Sequence, residues 1–99
     1  MASLTSISLS GMSAAQTQLG VAAHNVANAN TPNFKRQQVN LSAQPQGGVV
    51  AEVKSTATPG ADLVTDVVSQ LQAKHAFIAN LAVFKTQDKL AGSLLDQTA

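Results

Sequence analysis

HNVANANTPNFKR, residues 24–36, is where a helical pattern stops and the chain must turn. Pro32 pushes Thr31 out of the helical region and lacks a backbone N–H, so a helix entering this stretch ends near Asn28–Asn30. Three asparagines, Asn25, Asn28 and Asn30, fall within six positions before the Thr31-Pro32 pair. Asparagine tolerates the left-handed conformation at a helix C-terminus, and its amide can bond nearby backbone. Thr31-Pro32-Asn33 suits a turn with proline at its second position, after which Phe34 can fold back as an apolar plug.

On the N-terminal side, from Leu4 to about Ala27, the residues Met12, Ala15, Leu19, Ala22 and Val26 follow the 3-4-3-4 spacing of a coiled-coil seam. Gly11 and Gly20 each weaken such a helix by roughly 1 kcal/mol relative to alanine. Two readings therefore stay open: a helix stable in the monomer, or one ordered on assembly. Residues 1–34 contain no Asp, Glu, Lys or Arg, whereas a lone solvated helix would normally carry charges.

On the C-terminal side the pattern becomes alternation, with Val39, Leu41 and Ala43, a Gln-Pro-Gln-Gly-Gly turn, then Val49, Ala51 and Val53. This predicts a short β-hairpin or an extended loop, which must lie on the helices or on a neighbouring molecule because two strands alone are marginal. Residues 55–61, STATPGA, read as a linker. Asp62 is a candidate N-cap for a second helix, and Asp66 in its first turn favours the positive end of the helix dipole. The helix runs to about Leu95, a rod of about 50 Å against about 37 Å for the first, so the two cannot match end to end. Its apolar residues cover more than one stripe, because Phe77, Leu81 and Phe84 rotate away from Val64, Leu71 and Ile78.

The expected fold is mainly α: two long terminal helices packed as an antiparallel coiled-coil-like hairpin, with the short β-hairpin or loop between them. We read residues 1–99 as one domain, divided into an N-terminal helix over 3–29, a turn, hairpin and linker over 30–61, and a C-terminal helix over 62–96. Self-burial is thin. Alanine makes up much of the 44% apolar fraction, and Phe34, Phe77 and Phe84 are the only aromatic rings of this type, with no Trp or Tyr. Contacts with partners are expected to complete the core.

A net charge of +1 with scattered Lys and Arg lacks the footprint of a nucleic-acid or anionic-membrane binder. No segment approaches the roughly 20 apolar residues of a membrane span, so no membrane insertion is expected, and the N-terminus lacks the pattern of a cleaved secretion signal. The chain has no cysteine, which removes disulfide and thiol chemistry. His24 and His75 have no metal-ligand spacing around them, no carboxylate pair stands out, and Gly47-Gly48 lacks the helix and lysine of a phosphate loop. We therefore expect no catalytic residues, no metal and no cofactor. Asn80, on the helical face of Phe77 and Phe84, reads either as a boundary residue touching water or as a buried asparagine fixing helix register.

Residues 24–36 resemble the N-terminal signature of the flagellar axial proteins, the rod, hook and hook-associated group. DLVTDVVSQLQAKHAFIANLAVFKTQDKLAGSLLD, residues 62–96, is similar to their C-terminal helix. On the N-terminal motif the resemblance matches Asn25, Ala27, Asn28, Thr31, Phe34 and Lys35, with Asn30 and Pro32 within it. On the C-terminal one it matches Phe77, Asn80, Lys85, Thr86, Asp88 and Leu94, with Leu81 and Phe84 on the same helix. Asn33 stands where the family usually has glycine, and asparagine can still adopt positive φ there. His24 stands where asparagine is more usual.

The resemblance implies a subunit of the bacterial flagellar basal-body rod, exported through the flagellar type III apparatus without a cleaved signal. Its implied partners are other rod and hook proteins and further copies of itself. These residues would form its assembly surface. Only about 25 residues separate the matched segments, which favours a minimal rod-like member over a hook or long distal-rod subunit. The alternative is a cytoplasmic export chaperone or regulatory adaptor that binds rod proteins.

Overall fold

A computed structural model describes residues 3–98 of the chain. The first helix, α1 (Leu4–Ala27), starts at Ser3, whose hydroxyl accepts from the Ser6 N–H at 3.1 Å. It is followed by strands β1 (Gln37–Ala43) and β2 (Val49–Ser55) and by helix α2 (Leu63–Thr98). Asp62 caps α2: Oδ1 accepts from the Thr65 N–H at 3.2 Å and Oδ2 from its hydroxyl at 2.8 Å. Both helices and their order match the expectation, and the middle segment is the antiparallel hairpin rather than a loop.

The two helices pack antiparallel in one constant register. Gly11 lies against Asn80 and Asn25 against Asp66, a step of 14 residues in opposite directions along the two helices. The same register sets Gln18 opposite Ala73 and Leu4 opposite Gln87. Asp66, Ala73 and Asn80 recur at heptad spacing on α2, the mark of a coiled-coil-like seam. Because α1 begins at Leu4, residues 88–98 of α2 extend beyond it by about 16 Å.

On α1 the seam departs from the apolar count. Ser8, Met12, Ala15, Ala22 and Asn25 are buried, whereas Leu19 is 43% exposed and Val26 only half-buried. The helices meet through glycine, serine and alanine, which permit close approach, and Leu19 is turned out of that contact. Gly11 shows how close: a Cβ there would come within 2.5 Å of Asn80 Oδ1. Of the buried apolar residues, Met12, Ala14, Ala15, Ala22 and Ala73, all but one are alanines. The thin core expected from composition is what the fold contains.

The strands pair in continuous register, Gln37 with Ser55 through Ala43 with Val49. A five-residue loop closes them, in which Gly47 and Gly48 adopt φ of 101° and 92°. The hairpin rests on α1, and neither strand packs on α2. Its alternation puts Val39, Leu41, Val49, Ala51 and Val53 on one face, of which Val39, Val49 and Ala51 are half-buried. Among the described residues, no helix is long and apolar enough to cross a membrane.

Candidate functional site

The asparagine-rich corner assigns a different task to each of its asparagines. Asn25, 2% exposed, sits at the point where α1, β1 and α2 converge. Its Oδ1 accepts from the Gln37 N–H at 2.9 Å, while Nδ2 donates to the Gln37 carbonyl at 2.9 Å and to Asp66 Oδ1 at 3.1 Å. One amide thus bonds both backbone groups of a strand residue and a carboxylate on the other helix. Only its NH₂ side can face that carboxylate, so the network fixes the amide's orientation.

Asp66, 3% exposed, is held by a second partner. Arg36 forks onto it, Nε to Oδ2 at 3.1 Å and the terminal nitrogen to Oδ1. Hydrogen bonding to Asp66 raises the Arg36 pKa above its ordinary value, against the opposing effect of burial. A planar guanidinium suits this bidentate geometry, and Asn25 supplies the carboxylate's third hydrogen bond. Every buried side-chain nitrogen and oxygen among the described residues has a hydrogen-bond partner. A buried charge without such pairing would cost several kcal/mol, about 3–5 on removal of one partner.

Asn28 closes the helix. Its backbone N–H and its Nδ2 both donate to the His24 carbonyl, at 3.1 and 2.9 Å, and the Thr31 hydroxyl donates to its Oδ1 at 3.2 Å. Its φ is −105°, so the left-handed residue expected at the helix end is not there. It is Asn33, with φ 62°, third residue of a turn closed by the Phe34 N–H donating to the Thr31 carbonyl at 3.3 Å. Proline second and positive φ third is the type II arrangement. The helix ends without a left-handed residue: the Ala29 N–H donates to the Val26 carbonyl at 3.2 Å and the Thr31 N–H to the Asn28 carbonyl at 3.0 Å. Asn30 and Pro32 are exposed on the outside of this corner.

Phe34 folds back as expected and meets the His24 ring edge-on, centroids 5.3 Å apart. The linker is pinned beside it, the Gly60 N–H donating to the Phe34 carbonyl at 3.2 Å and the Thr56 N–H to the Arg36 carbonyl at 2.7 Å. Residues 24–37, the linker and the first turn of α2 therefore form one hydrogen-bonded joint. Within it Ala27 and Lys35 are exposed.

The remaining candidates lie elsewhere. By the helix register, Phe77, Asn80, Leu81 and Phe84 stand near the opposite end of the helical pair, about 21 Å along α1 from Asn25. All four are half-buried, whereas Lys85 and Thr86 are exposed. Leu94, 63% exposed, lies on the overhang beyond α1. Asn80 bonds within its own helix, Nδ2 donating to the Ala76 carbonyl at 2.8 Å, and its side chain fills the space over Gly11.

Sequence reading missed Arg36 and undervalued Asp66, taken only as a dipole partner. The signal was present: an inward-facing asparagine on α1, a cation directly after the turn, and a carboxylate one turn into α2. No group of three or more potential metal ligands occurs among the described residues.

In comparison with known proteins, residues 6–35 match the family model described as flagella basal body rod protein. The matched segment, under a third of the chain, includes the α1 seam from Ser8 to Asn25 and the turn through Phe34. No curated protein matches the chain.

Proposed function

We propose that this chain belongs to the flagellar rod family and is a structural subunit of the bacterial basal-body rod, assembling with axial proteins through its terminal helices. The family is structural, and we assign the chain no reaction. The observation that carries the reading is the family match over residues 6–35, which ends at the joint built on Asn25. The apolar surface is consistent with it. Val64, Leu71 and Ile78, 75%, 54% and 51% exposed, lie on the side of α2 opposite the seam, where neighbouring subunits would cover them. The uncharged residues 1–34 suit burial among other helices. Export through the flagellar type III apparatus and a place in the periplasm-spanning rod belong to the same proposal.

Quantitative mass spectrometry of purified hook-basal bodies tests it. The chain is expected at a fixed ratio to the known rod subunits; its absence there, with abundance in the cytosol, would sink the structural reading. Asn28→Ala and Phe34→Ala, which loosen the joint, are expected to reduce incorporation by several-fold. Normal incorporation of both would remove the joint from assembly.

A further inference from the structure

Hydrogen bonds made at the ends of the hairpin fix which of its backbone groups face outward. Gln37 bonds Asn25 through both N–H and C=O, and the Val49 N–H donates to Ser10 Oγ at 3.1 Å, so these odd-numbered residues turn away from their partner strand. The Thr56 N–H to Arg36 carbonyl and Gln44 N–H to Gly48 carbonyl bonds place the even-numbered residues in the ladder. Because the pattern alternates, β1 presents Val39, Leu41 and Ala43 on its outer edge, and β2 presents Ala51, Val53 and Ser55. Side chains of α1 close each edge at a single residue. What they leave open is a run of three on each strand, equal in length and opposite in direction.

The β1 edge carries none of the usual protection against pairing with another chain, and β2 carries only the charges of Glu52 and Lys54. From Gln37 to Ala43 there is no charge and no proline, and the register has no bulge. On β2, Glu52 and Lys54 pair with each other at 3.5 Å, leaving no net charge to repel an uncharged strand. Leu41 and Val53, 48% and 43% exposed, are the large apolar side chains that α1 leaves uncovered on the sheet's apolar face, one on each strand.

We propose that the β1 edge of one copy pairs antiparallel with the β2 edge of a second copy. Leu41 then stands opposite Val53 of the second copy, Val39 opposite its Ser55, and Ala43 opposite its Ala51. Each of these residues exchanges N–H and C=O bonds across the contact, and the two uncovered apolar side chains cover each other. The surfaces joined are different, so the contact is heterologous and repeats from copy to copy without closing on itself in a pair. It lies beyond the rod reading and stands or falls without it.

The chain has no native cysteine, so single cysteines report the contact directly. In a hydrogen-bonded antiparallel pair the Cα atoms stand about 5.5 Å apart, within disulfide range. Full-length Leu41→Cys and Val53→Cys chains, with circular dichroism confirming that each is folded, are mixed and oxidised over a series up to about 1 mM of each, where a contact of millimolar Kd is populated in roughly a third of the chains. The mixture is expected to form the 41–53 disulfide at least tenfold faster than Leu41→Cys alone or than Leu41→Cys mixed with Val50→Cys. Val50 is 51% exposed but lies on the opposite face and bonds inward. Equal cross-linking with Val50→Cys, a homodimer of Leu41→Cys forming as fast as the mixed species, or no disulfide at 1 mM would each overturn the proposal.

Discussion

Asn25 replaces a missing strand residue. By bonding both backbone groups of Gln37 it begins the outer edge of β1, and by reaching Asp66 it ties that edge to the second helix. The charge beneath it is tolerable only because Arg36 forks onto the same carboxylate. Arg36→Leu should cost about 3–5 kcal/mol, a large part of the stability of a small domain, by leaving Asp66 buried and short of partners. Arg36→Leu with Asp66→Leu should recover much of that loss, as urea unfolding followed by circular dichroism would show; an unchanged midpoint in the single variant would deny the pair its role. Asp62 makes a different, exposed contribution. Hydrogen bonds from the Thr65 hydroxyl, then from its N–H, hold the carboxyl below its ordinary pKa. Its folded value is thus lower than the unfolded value of about 3.9, so its stabilisation is present above that pH and is lost as pH falls through the lower folded value. NMR titration should place the Asp62 midpoint below that of an unstructured aspartate, and Thr65→Val should move it back up. Coincident midpoints in the two proteins would refute the hydroxyl's contribution.

Helix packing here is decided by what is small. An apolar count along α1 selects Leu19, but the contact follows Ser8, Gly11, Ala15, Gln18, Ala22 and Asn25, a register one step round the helix that leaves Leu19 outside it. The two glycines of α1 have correspondingly different meanings. A Cβ at Gly20 meets nothing within 4 Å, whereas one at Gly11 collides with the Asn80 side chain. Gly20→Ala should therefore stabilise the isolated chain by about 0.5–1 kcal/mol through helix propensity alone. Gly11→Ala should forfeit that gain, because Asn80 must swing aside and give up its bond to the Ala76 carbonyl. Adding Asn80→Ala should restore it. Thermal melts of the three proteins check this, and equal stabilisation by both glycine substitutions would show that the close approach at Gly11 does not constrain the pair.

At the scale of the molecule, 63 × 25 × 14 Å, the elements were legible and their junction was not. Pro32, the alternation from Val39 to Val53 and the Asp62 cap are local signals, read within a few residues of where they act. Asn25 and Asp66 are 41 positions apart and meet only once an antiparallel register is chosen, which no local pattern supplies. Asn33 was legible as a residue able to take positive φ, but the helix end makes no use of that property, since Asn28 keeps a negative φ there. The unequal helix lengths, by contrast, followed from counting, and they leave the last part of α2 without α1 beside it. Leu94 projects from that overhang and is 63% exposed, so it contributes little to the monomer. Leu94→Asp should accordingly cost roughly 1 kcal/mol or less in the isolated chain, mainly through helix propensity and an unfavourable charge near the C-terminal end of the dipole. In an assembled rod the same substitution would place a carboxylate in an apolar contact, where burial without a partner is costly. Its abundance in purified basal bodies should fall at least tenfold while its unfolding midpoint barely moves. If incorporation is also unmoved, the overhang lies outside the assembly surface, and the exposed stripe through Val64, Leu71 and Ile78 is left as the face that neighbours cover.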